Sequence, residues 1–221
     1  MSLRGLLFDF DGLILDTETP ELLAWRELWG DHCHAFPLDR FHSELGQVGG
    51  FDAAAALGEL VEGLDREAVT RRQDERKLAL IELEELRPGV LDYLREAKKR
   101  GLATAIVSSS SRRWIDTHLV RLGRTEDFNV IVTADHNPAR GKPAPTLYLE
   151  ALVLLGLARS EAVAFEDSPN GVRAAKAAGI FCVAIPNSVT DSLNFDEADL
   201  VVASLAELPF SSLLAEINRR T

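Results

Sequence analysis

The spacing of apolar residues changes twice along this 221-residue chain, and the changes mark out its elements. Leu6, Leu7 and Phe8 form a short unbroken apolar run. Such a run fits a strand covered on both faces, as in a parallel sheet. From Thr19 the pattern turns helical and stays so to about Arg87. Thr19-Pro20-Glu21 predicts a helix start: a capping Thr, Pro at the first position, then an acid. Leu22, Leu23, Trp25, Leu28 and Trp29 supply its apolar positions, and Gly30-Asp31 stops it. A short helix is expected over 39–45, an Ala-rich one over 52–60, and a long charged one over 65–86. The last should bury Val69, Leu78, Leu80, Ile81 and Leu83. Gly46-Gln47-Val48-Gly49-Gly50 reads as a flexible loop that can bring backbone close to a ligand.

Pro88-Gly89 marks a boundary, and beyond it the period alternates. Strands are expected over 103–107, 129–132, 162–165, 181–185 and 200–202. Helices are expected over 90–99, 114–122, 146–155, 171–178 and 211–218. Alternating strands and helices imply βαβ units and a parallel sheet. The expected architecture is therefore α/β: a Rossmann-like parallel sheet core domain of residues 1–17 and 88–221, with a helical domain of residues 18–87 inserted after the first strand. The crossings near 16–20 and 86–89 should act as hinges, since hinges sit at element ends. No internal repeat or low-complexity segment interrupts this plan.

Composition narrows the partners. Hydrophobic residues make up 46% and charged residues 27%, ordinary for a globular protein. Thirty-five acids against 24 bases leave a net charge of -11, which argues against nucleic acid or an anionic membrane as the main partner. It does not oppose a small phosphorylated metabolite, because local donors and a cation set the field within a site. Met1-Ser2-Leu3-Arg4 leads straight into the first strand, no apolar run reaches membrane-spanning length, and Cys33 and Cys182 stand in unrelated contexts. A reduced, cytoplasmic setting and a monomer are expected. His32-Cys33-His34 offers three ligand types in a row, but no fourth stands at zinc spacing, so it reads as loop and packing. Arg71, Arg72, Arg76 and Lys77 lie among acids and read as a solvated face.

The candidate chemistry sits at strand ends. Asp9 and Asp11 follow the first strand, and its pleat sends both to one side. Two like charges that close need a divalent cation, a shared proton or full solvation. Ser109 and Ser110 follow the second strand, Lys142 lies in the loop after the third, and Glu166-Asp167 ends the fourth. In a parallel sheet all of these meet on one edge, where open α/β sheets bind ligands. Carboxylates, hydroxyls and an ammonium are the parts of phosphoryl transfer, which is mostly positioning and charge neutralisation. Asp can also serve there as a covalent nucleophile.

Four motifs in order resemble the haloacid dehalogenase superfamily of phosphatases and phosphomutases. They are Asp9-Phe10-Asp11-Gly12-Leu13-Ile14-Leu15-Asp16-Thr17, Val107-Ser108-Ser109-Ser110-Ser111, Gly141-Lys142-Pro143 and Phe165-Glu166-Asp167-Ser168-Pro169-Asn170-Gly171. The resemblance is closest to the β-phosphoglucomutase-like branch, whose members carry a helical cap after the first motif. It implies an Mg2+-dependent hydrolase of a small phosphate monoester, such as a sugar phosphate. Asp9 resembles the nucleophile and Asp11 the general acid/base. The Asp9 carboxylate, the Asp11 backbone carbonyl and Asp167 would hold Mg2+, with Glu166 a direct or water-mediated ligand. Ser109 and the backbone N–H of Ser110 would bind phosphoryl oxygens, and Lys142 would neutralise phosphoryl group and nucleophile. A sugar phosphomutase is the alternative within the branch, and a non-catalytic phosphometabolite-binding module the alternative outside it.

Thr17, Glu21, Trp25 and Gln47 are the candidate substrate contacts from the hinge and cap. In the branch's mutases the hinge carries a His and the cap loop an Arg. The corresponding positions here fall on Glu21 and near Gly49-Gly50, a loop with no cation between Gln47 and Phe51. Without that guanidinium a distal phosphate lacks its bidentate partner, which favours net hydrolysis over mutase chemistry.

Overall fold

The structure, a computed structural model, describes residues 3–220, the Arg220 side chain excepted; Met1, Ser2 and Thr221, the outer ends of the expected core segments, lie outside the described residues. Six parallel strands form one sheet in the order β3-β2-β1-β4-β5-β6. They are β1 Gly5–Phe8, β2 Ala103–Ser108, β3 Val130–Thr133, β4 Ala162–Glu166, β5 Phe181–Ala184 and β6 Leu200–Val201. Phe8 is level with Ile106 on one side and Phe165 on the other. The residues that follow Phe8, Ser108 and Phe165 therefore emerge together at one edge. The chain builds outward from β1 to β3, then resumes on the far side of β1 with β4. That reversal opens a crevice at the carboxyl edge.

The strand pleat feeds two apolar layers. Leu6, Phe8 and Phe165 point to one face, under Tyr93, Leu94 and Leu213. Leu7, Ala105, Val107 and Ala164 point to the other, under Leu147, Tyr148 and Ala175. The covering helices are α5 Val90–Arg100, α6 Arg112–Leu122, α7 Thr146–Leu155, α8 Pro169–Ala177 and α9 Phe210–Arg220. Covering both faces is what permits unbroken apolar strands.

Between β1 and α5 the chain makes α1 Glu18–Asp31, α2 Leu38–Glu44, α3 Ala53–Gly58 and α4 Arg66–Ile81. Trp25, Leu28, Trp29, Ala53, Leu57 and Val69 give them an apolar cluster of their own. A smaller cluster of Leu22, Phe41 and Leu45 reaches Val189, beyond β5. The two crossings into and out of this helical stretch are tied together. The Arg87 N–H donates to Ile14 O at 2.9 Å. Its guanidinium donates to the carbonyls of Gly12, Ile185 (3.2 Å) and Pro186 (3.1 Å). No helix among the described residues is long and apolar enough to cross a membrane.

Several expected bounds move. The first helix starts at Glu18, with Thr17 at its N-cap position, rather than at Pro20 with Thr19 as the cap; the Asp16 carboxylate accepts from the Thr19 N–H at 3.0 Å in the first turn. The long charged helix ends at Ile81, not 86. Its buried side carries Val69, Gln73 and Ile81, whereas Leu78 (42% exposed) and Leu83 (79%) face outward. Residues 69 and 73 are four apart and share a face, and 78 falls off that stripe. Helix α6 begins at Arg112 because Ser111 Oγ accepts from the Trp114 N–H at 3.3 Å. Helix α8 begins at Pro169 because Ser168 Oγ accepts from the Gly171 N–H at 3.1 Å. His32 and His34 lie outside the metal-capable groups among the described residues, and Cys33 is a free, exposed thiol.

Candidate active site

The buried end of the crevice is built on one ammonium. Lys142 Nζ lies 2.6 Å from Asp9 Oδ1 and 2.7 Å from Glu166 Oε1, with all three side chains almost fully buried. The Lys142 N–H donates to Ser109 Oγ at 3.1 Å, tying its loop to the one after β2. The Tyr148 hydroxyl donates to Glu166 Oε1, while Glu166 Oε2 is buried with no partner. Asp167, also buried, accepts from Asn187 Nδ2 at 2.8 Å. Gly12 sits at φ +74, and a Cβ there would come within 2.0 Å of Asp167 Oδ2. The glycine is thus required both for the turn and for the close approach of the acid.

Asp11 lines the same cavity as Asp9 and is surrounded by donors. Thr17 Oγ1 (3.0 Å) and Trp114 Nε1 (2.7 Å) donate to Oδ1. Ser110 Oγ (2.6 Å) and, more weakly, Ser108 Oγ (3.4 Å) donate to Oδ2.

The electrostatics of this floor are unbalanced. Carboxylate oxygens of Asp9, Glu166 and Asp167 lie within 4.8 Å of one another, facing a single ammonium. Burial pushes the Asp9 and Asp167 carboxyls upward, against the attraction of Lys142, and Glu166 is raised to about 8 by the same cause. Burial alone would lower the Lys142 ammonium, but Asp9 and Glu166 outweigh it and hold it charged. A hard divalent cation relieves such a site. Three oxygen donors with one unpartnered carboxylate oxygen suit Mg2+, which keeps several waters of its own.

Above the floor opens a cavity of about 390 Å³, within the range of small-molecule sites. Thr17, Glu21, Gln47, Ser109 and Ser110 line it together with Asp9 and Asp11. Trp25 does not line it; the side chain is buried in the α1–α3–α4 cluster. The Ser110 N–H, expected on a phosphoryl oxygen, donates instead to Ser108 Oγ at 3.0 Å. Of the basic run on α4, Lys77 alone among the described residues lines the cavity, so it departs from the solvated face. Its ammonium is 3.4 Å from Asp74 and 4.0 Å from Glu21. Glu18 and Glu44 add further acid to the walls. Burial raises the carboxyls of both Glu18 and Glu21.

Sequence reasoning missed Asn187, Tyr148, Arg87 and Trp114. Asn187 had a signal, since it follows the fifth strand on the same edge as the acids. The other three are helix or hinge residues whose contacts lie 18 or more positions away in the chain.

Comparison with known proteins gives the family and the fold. Residues 3–179 match the family of haloacid dehalogenase-like hydrolases. The chain is 42% identical over 217 residues to YhcW of Bacillus subtilis (strain 168), covering 98% of both chains. It is 31% identical over 206 residues to the phosphorylated carbohydrates phosphatase of Thermotoga maritima, covering 92% of this chain and 93% of that one. Among solved structures it resembles CbbY from Rhodobacter sphaeroides in complex with xylulose-(1,5)bisphosphate, with a TM-score of 0.75 at 30% identity. That match covers 96% of this chain and 99% of the other.

Proposed function

Because this chain belongs to the haloacid dehalogenase-like hydrolases, in their β-phosphoglucomutase-like branch, and is a phosphatase, we propose that it hydrolyses a sugar monophosphate through an aspartyl-phosphate. The observation that carries the proposal is the buried Asp9–Lys142 pair at 2.6 Å beside an Asp11 held by hydroxyl and indole donors. Asp9 attacks phosphorus as the bond to the leaving oxygen breaks, and Asp11 gives that oxygen its proton. Water then attacks the phosphorylated Asp9, Asp11 takes the water's proton, and the Asp9 carboxylate is released. Lys142 shields the charge on nucleophile and phosphoryl group throughout, and the Ser109 hydroxyl is free to donate to a phosphoryl oxygen. Mg2+ would be held by the Asp9 and Asp167 carboxylates and the Asp11 carbonyl, with Glu166 a direct or water-mediated ligand, and would supply charge neutralisation at the phosphoryl oxygens. Residues 18–87 act in this reading as a cap that closes over the cavity. The proposal also covers a cytoplasmic monomer that uses neither nucleic acid nor membrane.

The test is release of inorganic phosphate over a panel of sugar phosphates and nucleotides, with and without Mg2+. Sugar monophosphates should be turned over only with the metal. A panel with no Mg2+-dependent release would refute the reading. The walls also bear on the choice between monophosphate and bisphosphate, which CbbY holds in its structure. Glu18, Glu21 and Glu44 face the cavity, and Lys77 is occupied by Glu21 and Asp74. Apart from the paired Lys77, no Lys or Arg lines this cavity among the described residues, so kcat/KM should be lower for fructose 1,6-bisphosphate than for fructose 1-phosphate. With β-glucose 1-phosphate and a trace of glucose 1,6-bisphosphate, phosphate release should outpace glucose 6-phosphate formation. The reverse would establish the mutase.

Stability should report the metal separately. Carboxyls raised in the folded state hold protons that the unfolded chain gives up. Metal-free protein should therefore lose stability as pH rises from about 4, the ordinary carboxylate range, towards 8, where Glu166 also ionises. Saturating Mg2+ should raise Tm more at pH 8 than at pH 5.5. A larger gain at pH 5.5 would contradict the ligand set.

A further inference from the structure

We infer that Trp114, at the start of α6, is the positioning residue for Asp11 and fixes the acid/base carboxylate through its indole N–H. The inference rests on the acid/base reading of Asp11. Asp11 lies past the end of β1 and is only half-buried, so nothing in strand geometry holds its side chain. Of its four donors, three are hydroxyls, which can turn to other acceptors. Ser108 ends β2, and Ser110 belongs to the loop after it that must also meet the phosphoryl group. Thr17 belongs to the crossing that carries the cap.

Trp114 differs from all three. An indole N–H donates in one direction and never accepts. Its ring is held from the side, packed edge-on to His118 at 4.2 Å, and Lys77 of α4 lies over it at 5.8 Å. The hydrogen bond of 2.7 Å is in the charge-assisted range. With Trp114 and Thr17 both on Oδ1, that oxygen has its two acceptor sites filled. Oδ2 has only hydroxyl partners, which can reverse roles, so proton exchange with the leaving oxygen is assigned to Oδ2. No positional signal in the sequence separates this tryptophan from an ordinary helix residue; the assignment comes from the fold.

Trp114→Phe keeps the ring and deletes the donor. We expect kcat/KM on a sugar monophosphate to fall about 10- to 100-fold, the worth of one hydrogen bond to a charged group, with KM within about threefold. On p-nitrophenyl phosphate, whose leaving group departs without a proton, kcat/KM should change less than about threefold. A general packing defect would slow both substrates alike, and that result overturns the inference. Asp11→Asn separates this from the parent reading. If it leaves kcat/KM on the sugar ester intact, the acid/base reading itself fails; if it abolishes that activity while Trp114→Phe changes nothing, the positioning role alone fails. Should Trp114→Phe not fold, the indole N–H resonances of the wild-type frame decide. Asp11→Asn should move the Trp114 signal and leave those of Trp25 and Trp29 in place, and an unmoved Trp114 signal overturns the inference.

Discussion

Asp9→Asn is expected to fold and to lose turnover by on the order of 10⁴-fold or more, the scale at which removal of a covalent nucleophile acts. The amide has no electron pair basic enough to attack phosphorus, so the first bond never forms. The fold should survive because the amide oxygen can still accept from Lys142 Nζ, now 2.6 Å from Asp9 Oδ1. The exchange also removes one of three carboxylates crowded within 4.8 Å, so metal-free variant protein should melt no lower than wild type at pH 8. Phosphate release and thermal melting are the two measurements. Acid-quenched wild type should carry a phosphoryl group on Asp9, visible by mass spectrometry, and the variant none. Wild-type turnover by the variant on any phosphate ester would remove Asp9 from the mechanism.

Lys142→Ala should damage both stability and rate. The ammonium touches Asp9 and Glu166, and deleting it leaves buried acids facing one another without their cation. Breaking a buried pair from one side costs about 3–5 kcal/mol. Glu166, already raised to about 8, can take a proton and soften this, so the low end is expected. That corresponds to a drop of roughly 6–12 °C in the Tm of metal-free protein of this size. Turnover should fall by about 100-fold or more, as when one transition-state donor is lost. Because Lys142 sits beneath the phosphoryl position and not on the walls, the loss should be equal for every substrate. A loss confined to one sugar would place Lys142 in specificity instead.

Sequence and tertiary structure contributed different things. Alternation of apolar runs with amphipathic stretches was enough to read a parallel α/β sheet, and polar residues after Phe8, Val107 and Phe165 were enough to place the candidate site residues on one edge. Both are local signals: a strand period of two, a helix period near 3.6, and a rule that loops at the carboxyl edge bind ligands. The helical stretch from 18 to 87 was legible for the same reason, though its apolar faces were not. Leu78 and Leu83 look like core in the sequence, yet the side of α4 that meets α1 is chosen by packing, and Gln73 lies on it.

The tertiary structure alone decided what each polar group does. Glu166 and Asp167 are adjacent in sequence, but one turns to Lys142 and Tyr148 and the other to Asn187. Trp25 and Trp114 are both helix tryptophans, yet Trp25 packs within the α1–α3–α4 cluster and Trp114 reaches across 103 positions to Asp11. Hydrogen bonds between residues far apart in the chain leave no periodic trace, because their energy is set by where folding brings the two ends together. The residue types of the candidate site edge were thus determined by the sequence, whereas their pairing, and with it the orientation of each side chain, was determined by the close packing of strands and helices around it.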